Sequence, residues 1–163
     1  MWTEIEAASK ILQMRRNSQL KWNSERLRYC LKMKNKNELV EAAVKARENS
    51  YAPYSKFRVG AAVRTKDGKI YTGCNIESAS YGLTVCAERV AVWKAVSEGI
   101  TEFTEIAVVA DTEELTPPCG VCRQIVWEFC GDIPVIFANL KGKDEILQMK
   151  ELLPRAFDTK FLK

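Results

Sequence analysis

The chain contains no histidine, which removes the commonest nitrogen ligand for a metal and the commonest general base. Acid–base chemistry must therefore fall to carboxylates, lysines, tyrosines or thiols. No apolar run approaches the roughly 20 residues that a membrane-spanning helix needs, and no internal repeat is present. Glu4 and Glu6 precede any apolar stretch, which argues against a secretory signal. These absences predict a cytoplasmic protein with no membrane partner.

Cysteine is sparse as well. Six cysteines in 163 residues are too few for a disulfide scaffold. Three of them have the spacing of metal ligands, whereas Cys30, Cys74 and Cys130 are expected to be small apolar fillers or free thiols. Cys74 carries one reservation, because a fourth sulfur ligand from it would close a metal site.

The net charge of +4 is unevenly distributed. Residues 1–36 hold nine Lys/Arg against three Glu, whereas residues 37–163 hold sixteen Lys/Arg against eighteen Asp/Glu. A nucleic-acid channel would need a basic groove, and the segment with the cysteine motifs is mildly acidic. We therefore expect a small substrate without phosphates and no nucleic-acid partner. The basic leader indicates a solvated helix face, with contact to an acidic partner as the alternative.

Residues 1–34 are predicted to form a basic, helical N-terminal extension. Its apolar residues recur at i, i+3, i+6 and i+7, the spacing of an amphipathic helix, at Ile5, Ala8, Ile11 and Leu12. Asn37 is a candidate N-cap for a new helix. Met33 is a candidate alternative start, which would leave the first 32 residues as an appendage.

The rest of the chain predicts a hairpin followed by alternating helices and strands. The predicted strands are residues 59–63, 70–74, 106–110 and 133–138, and the predicted helices are residues 86–97 and 119–129. A turn at Lys66-Asp67-Gly68-Lys69 joins the first two strands, and Gly99 and Gly131 mark helix ends. The last two strands are continuous apolar runs, typical of strands buried on both faces. This order predicts an α/β fold with a mixed sheet covered by helices.

Two cysteine motifs carry the candidate chemistry. Cys86-Ala87-Glu88 is followed about thirty residues later by Pro118-Cys119-Gly120-Val121-Cys122. Three thiolates can hold a zinc ion and leave its fourth position open, as catalytic sites do, whereas structural sites are usually closed by four protein ligands. Cys119 and Cys122 share a face if they lie on one helical turn, and a helix N-terminus stabilises thiolates. Structural zinc and a redox dithiol remain as alternatives.

The residues beside Cys86 constrain the local geometry. Cys86 and Glu88 would point nearly opposite ways inside one helix, so we expect Cys86 in the turn before the helix and Glu88 in its first turn. Three thiolates and Zn²⁺ sum to −1, which weakens the metal as a Lewis acid. Arg89 is therefore expected to donate hydrogen bonds to ligand sulfurs, the alternative being a surface arginine.

Together the motifs resemble the zinc-dependent cytidine deaminases of the small homotetrameric type. The segments that carry the resemblance are Cys86-Ala87-Glu88-Arg89, Pro118-Cys119-Gly120-Val121-Cys122-Arg123-Gln124, Tyr51-Ala52-Pro53-Tyr54-Ser55-Lys56-Phe57, Val59-Gly60-Ala61-Ala62, and Asn75-Ile76-Glu77 before Ser80-Tyr81. The resemblance runs from about residue 37 to residue 157. It implies a three-layer α/β/α fold with a mixed five-stranded sheet in a catalytic domain over 35–163, one zinc ion per subunit, and a homotetramer. The extension has no counterpart, and its role is unknown.

The resemblance also implies roles for individual residues. Cys86, Cys119 and Cys122 match the zinc ligands, and Glu88 matches the proton shuttle. Asn75 and Glu77 match the residues that hold the ribose 3′-hydroxyl. The remaining matches are Phe57 as a contact to the pyrimidine, the Ala87 backbone N–H as a contact to the base carbonyl, and Tyr81 and Phe157 as contacts between subunits near the site.

The implied reaction is the hydrolytic deamination of free cytidine and deoxycytidine to the uridines, with release of ammonia, in pyrimidine salvage. Three alternatives remain. They are a deaminase of a nucleoside analogue such as blasticidin S, a polynucleotide deaminase, and a structural-zinc interaction module that binds nucleic acid through the basic leader. Asn75-Ile76-Glu77 favours a sugar-bearing substrate over the antibiotic, and the mildly acidic segment disfavours a polynucleotide.

Overall fold

The structure, a computed structural model, describes residues 24–162, without the side chains of residues 24–32 and 35. The amphipathic stripe predicted at Ile5, Ala8, Ile11 and Leu12 lies outside the described residues, as does the side chain of Cys30. In the described part, no helix has both the length and the apolar character required to cross a bilayer.

The fold is an α/β sandwich around one mixed sheet. Its helices are α1 (Ser24–Glu48), α2 (Ala87–Ser97), α3 (Gly120–Cys130) and α4 (Met149–Leu152), and its strands are β1 (Val59–Thr65), β2 (Ile70–Cys74), β3 (Phe103–Ala110), β4 (Pro134–Asn139) and β5 (Asp144–Gln148). The strand order is β2-β1-β3-β4-β5. Neighbouring strands are antiparallel except β3 and β4, which are parallel. The predicted mixed five-stranded sheet is confirmed.

Helices cover both faces of the sheet, so that all seven residues of β1 are buried. On one face, Val63 and Val108 pack with Val92 of α2 and Val126 of α3 in the larger core. On the other face, Ala62, Ala107 and Val109 pack against Leu39 and Ala43 of α1 in a second cluster. The predicted three-layer arrangement is therefore confirmed. The sheet and helices α2 and α3 lie within the compact unit Glu38–Lys163.

The N-cap predicted at Asn37 is wrong, because α1 begins at Ser24 and continues through Asn37 to Glu48. No proline or glycine occurs in this segment, so nothing forces the backbone out of the helical conformation. The uninterrupted helix satisfies the backbone hydrogen-bonding groups around Asn37 without a capping side chain. The helix ends at Glu48, a few residues before Pro53, whose ring cannot continue a helix.

Helices α2 and α3 begin in the same way. Cys86 precedes α2 with an extended backbone (φ −75°, ψ 156°), and Cys119 precedes α3 with nearly the same conformation (φ −66°, ψ 165°). At the far ends, Gly99 (φ 85°) and Gly131 (φ 74°) adopt the positive φ that ends a helix at little steric cost. Because the two helices pack side by side, their N-terminal ends can form one site.

Candidate active site

The three predicted sulfur ligands lie together at the starts of α2 and α3. The Sγ atoms of Cys86, Cys119 and Cys122 are all within 4.8 Å of one another, and the Cys86 and Cys119 sulfurs are 3.8 Å apart. A tetrahedral zinc ion with Zn–S bonds of about 2.3 Å places its sulfur ligands about 3.8 Å apart. The size and chemistry of this triangle therefore fit one zinc ion.

The cluster offers three ligand atoms. Among the side chains that the structure describes, those of residues 33, 34 and 36–162, it is the one group of at least three His, Cys, Asp or Glu residues close enough to share a metal ion. Cys74 is a free, half-buried thiol outside this group, and Cys130 is also free. The fourth position of a tetrahedral ion would therefore be left to a water or a substrate, which is the arrangement of a catalytic site.

Hydrogen bonding between the sulfurs shifts the pKa values of Cys86 and Cys122 in opposite directions. The bond from Cys122 lowers the pKa of Cys86 to about 5, and a weaker bond from Arg89 acts in the same direction. The same bond, together with burial, raises the pKa of Cys122. Cys86 is therefore the sulfur of this pair that ionises more readily. A ready thiolate at a helix N-terminus suits metal capture.

Glu88 lies beside the sulfurs, in the first turn of α2. Only 4% of the surface of Glu88 is exposed, which is an unusually low fraction for a glutamate. Burial raises the pKa of Glu88 to about 6, and its carboxyl hydrogen-bonds with the Cys122 thiol. A carboxyl group whose pKa lies close to neutral can both accept and release a proton during a reaction. In a chain without histidine, this is the chemistry that an imidazole would otherwise supply.

Arg89 is held against the backbone and the first sulfur ligand. Its Nη2 donates to the Thr84 carbonyl at 2.8 Å and lies 3.9 Å from the Cys86 Sγ. The guanidinium also lies over the ring of Trp93, at 5.6 Å from the ring centroid. Its buried Nε makes no hydrogen bond. The arginine therefore places positive charge next to the Cys86 sulfur and helps to lower the pKa of that thiol.

Asn75 lies directly after β2 and is engaged with the protein backbone. Its Oδ1 accepts hydrogen bonds from the Ser50 hydroxyl at 2.5 Å and from the Val59 N–H at 2.8 Å. Its Nδ2 donates to the Phe57 carbonyl at 2.8 Å. An amide nitrogen carries two hydrogens, so one N–H of Asn75 remains for a ligand.

Glu77, two residues later, organises the neighbouring loop. One carboxylate oxygen accepts the backbone N–H groups of Tyr54 and Ser55, and the other accepts the Ser55 hydroxyl. The hydrogen bond from the Ser55 hydroxyl lowers the pKa of Glu77 more than the other contacts do. With its pKa lowered, the group is a carboxylate at neutral pH. It therefore retains free lone pairs for a further donor.

Three predicted aromatic residues are exposed in the single chain. The exposed fractions are 41% for Phe57, 75% for Tyr81 and 56% for Phe157. Tyr81 packs edge-on against Tyr54, with ring centroids 6.0 Å apart. Phe157 is tied to α3 through its carbonyl, which accepts a hydrogen bond from Gln124 at 2.9 Å.

Ala87, in contrast, is fully buried at the first position of α2, where a helix has an unpaired N–H.

Comparison with known proteins agrees with this geometry. The family model described as "Cytidine and deoxycytidylate deaminase zinc-binding region" matches residues 33–138. The chain belongs to this family.

Individual relatives point the same way. A cytidine deaminase of Sporosarcina psychrophila is 54% identical over 121 residues, which cover 74% of this chain and 89% of the relative. A Blasticidin-S deaminase of Bacillus cereus is 34% identical over 125 residues, covering 72% of this chain and 88% of the relative. The crystal structure of cytidine deaminase from Burkholderia pseudomallei superposes with a TM-score of 0.73 and 47% identity, covering 74% of this chain and 98% of that one.

Some residues that support the site in this family member were missed by sequence reasoning. Arg123 follows Cys122 and donates to the carbonyls of Pro118 and Leu152, both at 2.8 Å, which ties the cysteine loop to the end of α4. The available signal was that Arg123 directly follows a predicted site residue, Cys122, as Arg89 directly follows Glu88. Ser55 had no signal beyond membership of a matching segment, and Ser50 had none, because their partners are more than twenty residues away in the chain.

Proposed function

We propose that this protein is a zinc-dependent cytidine deaminase that hydrolyses free cytidine and deoxycytidine to uridine and deoxyuridine. The observation that carries the proposal is a cluster of three cysteines placed beside a buried carboxyl group, with no fourth protein ligand among the side chains that the structure describes. Three ligands leave room for chemistry, and a carboxyl of intermediate pKa moves protons there. Family membership and the 54% identical cytidine deaminase support the same substrate class.

Cys86, Cys119 and Cys122 would hold a single Zn²⁺ ion per subunit. When bound, zinc supplies a Lewis acid that lowers the pKa of water from 15.7 towards about 7. Arg89 would offset the negative charge of three thiolates through its contact with the Cys86 sulfur. The free thiols that the site requires suit a reducing compartment, so we also propose a cytoplasmic location and a role in pyrimidine salvage.

Glu88 would carry the protons of the reaction. It takes a proton from the attacking water and delivers it to ring N3 as the new C4–O bond forms. It then moves the remaining proton of the new C4 hydroxyl to the exocyclic amine, which leaves as ammonia when the C4–N bond breaks and the C4 carbonyl forms, so that one water is consumed and the ring becomes a uracil. Burial keeps bulk water away from this carboxyl group and raises its pKa, which makes both proton transfers accessible near neutral pH.

The remaining predicted residues would hold the nucleoside. The Ala87 N–H at the start of α2 is free to donate to the base carbonyl, and Phe57 would cover the pyrimidine ring. Asn75 would offer its one unused N–H, and Glu77 a free lone pair, to the ribose 3′-hydroxyl. We assign these contacts to a catalytic domain over 35–163, with residues 1–34 as an N-terminal extension of unknown role.

We further propose that the active form is a homotetramer. Tyr81 and Phe157 expose large aromatic surfaces in the single chain, and such surfaces commonly mark protein interfaces. In the tetramer they would be covered near the site of a neighbouring subunit. Light scattering of the purified protein tests this, and a monomer that is fully active would contradict it.

The deciding experiment combines metal analysis with a substrate panel. Purified protein should contain one zinc ion per chain and deaminate cytidine and deoxycytidine, followed by the ultraviolet absorbance change, and a chelator should abolish the activity. Blasticidin S serves as the matched competitor, because a deaminase of that antibiotic is 34% identical. Faster turnover of blasticidin S would favour that alternative, activity on single-stranded DNA above that on nucleoside would favour a polynucleotide deaminase, and bound zinc without any deamination would indicate a structural module.

A further inference from the structure

Strand β2 crosses the first turn of α2 at Gly73. A Cβ atom at this position would lie 2.4 Å from the carbonyl oxygen of Ala87 and 2.5 Å from the backbone nitrogen of Ala91. These two atoms are four residues apart in the helix and therefore share one helical hydrogen bond. Since both belong to the backbone, no side-chain rotation could relieve the overlap. Any side chain at position 73 would force the strand and the helix apart.

Small residues on the helix side allow the same close approach. Ala87 and Ala91 are fully buried, and the Cβ of Val90 would lie 2.8 Å from a Cβ at position 73. Gly73 therefore sits in the groove between two turns of α2. The depth of this contact sets how closely the start of the helix lies against the sheet.

The start of α2 is one side of the metal site. Cys86 precedes this helix and Glu88 lies in its first turn, whereas the other two sulfurs come from Cys119 and Cys122 at the start of α3. The size of the sulfur triangle therefore depends on where the first turn of α2 lies relative to α3. A displacement of that turn would move one ligand and the buried carboxyl group together, and leave the other two ligands behind.

We propose that Gly73 is a positioning residue that sets the zinc site: the lack of a side chain there lets β2 hold the first turn of α2 at the depth where all three sulfurs can share one ion. The inference rests on the proposed zinc function. A Cβ at position 73 would lie 2.4 Å from the Ala87 carbonyl oxygen, and an ordinary contact is at least 3.4 Å, so the helix would have to move by about 1 Å. Metal–ligand distances tolerate only about 0.2 Å, and a misplacement of about 1 Å can reduce turnover about 10²-fold.

The test compares Gly73→Ala, which affects the N-terminal end of α2, with a matched glycine-to-alanine substitution at the C-terminal end of α2. Gly99→Ala places a side chain at φ 85°, which strains the end of α2, but a Cβ there meets no other atom. It therefore perturbs the same helix without moving its first turn. For each variant, zinc affinity is measured by competition with a chromophoric chelator, and the absorption spectrum of the Co²⁺-loaded protein reports the geometry of the thiolates.

We expect Gly73→Ala to bind zinc about 10–100-fold more weakly, as when groups that support metal ligands are lost. Its Co²⁺ spectrum should change, and its kcat for cytidine should fall about 10²-fold with a smaller change in KM. Gly99→Ala should keep the zinc affinity, the spectrum and kcat of the unchanged protein, although its thermal stability falls.

Two outcomes would overturn the proposal. One is a Gly73→Ala protein whose zinc affinity and Co²⁺ spectrum match those of Gly99→Ala. The other is a Gly73→Ala chain that cannot be recovered folded even at low temperature, because the proposal requires a local displacement that the sheet survives. An unchanged protein that binds no zinc or does not deaminate cytidine would instead refute the proposed function, so the two failures are distinguishable.

Discussion

Replacement of Asn75 by alanine should destabilise the protein by about 3 kcal/mol, because its amide bonds the backbone at Phe57 and Val59 and the hydroxyl of Ser50 near the site. The buried N–H of Val59 would lose its acceptor, which costs about 1–3 kcal/mol for an unsatisfied buried donor. The Phe57 carbonyl and the Ser50 hydroxyl would each lose a partner as well. The latter two bonds contribute about 0.5–1.5 kcal/mol each.

Ser50→Ala is the matched control for this prediction. It removes the hydroxyl that donates to the Asn75 side chain, with a weaker contact to the Asn75 carbonyl, and leaves the bonds of the Asn75 amide with Val59 and Phe57 intact, so a loss of about 1 kcal/mol is expected. For a chain of this length, about 3 kcal/mol corresponds to a decrease in Tm of about 6–12 °C, and about 1 kcal/mol to about 2–4 °C.

The assay is thermal unfolding of both variants and the unchanged protein at one fixed protein concentration, since self-association would make Tm depend on concentration. KM for cytidine should rise in Asn75→Ala, because Phe57 and the loop that Glu77 organises lose an anchor. The reasoning is refuted if Asn75→Ala loses less than about 1 kcal/mol, or no more than Ser50→Ala does.

Three further predictions concern the metal site. Glu88→Gln should keep one zinc ion but lose about 10²–10⁴-fold in kcat, and near-normal turnover would remove Glu88 from the mechanism. Removal of zinc should abolish activity and expose Cys119 to iodoacetamide, as mapped by peptide mass; Cys130, whose pKa burial raises to about 12, should stay unlabelled in either state. Arg89→Gln, which loses the charge beside the Cys86 sulfur, should retain zinc with a roughly 10-fold lower kcat; an unchanged kcat would show that this charge is unimportant.

The sequence predicted the starts of the two ligand-bearing helices well, because several local signals coincide there. At each site a cysteine precedes a run of helix-forming residues, and Gly99 and Gly131 limit how far each helix can extend. The buried parts of β3 and β4 were equally clear, since residues covered on both faces of a sheet form a continuous apolar run. Cys86 lies about thirty residues before Cys119 and Cys122 in the chain. Its place beside them was therefore inferred from the need for three metal ligands and not from a local sequence pattern.

Other elements had no clear local signal. Strand β5 is an edge strand whose first three residues are exposed, so the segment Asp144–Gln148 shows no apolar run, and only the family resemblance implied a fifth strand. The hydrogen bond between Ser50 and Asn75 joins residues twenty-five apart, and composition contains no trace of such pairs. The continuous α1 shows a related limit: a favourable capping residue at Asn37 does not start a helix where one already runs.

The unequal exposure of the three sulfurs gives metal exchange a direction. Cys122 is fully buried and Cys86 half-buried, whereas Cys119 is exposed. If the three sulfurs hold zinc as proposed, a chelator in solution would reach the Cys119 sulfur first, because the other two are less exposed. We therefore expect the rate at which a chelator removes the ion to be most sensitive to substitutions around Cys119.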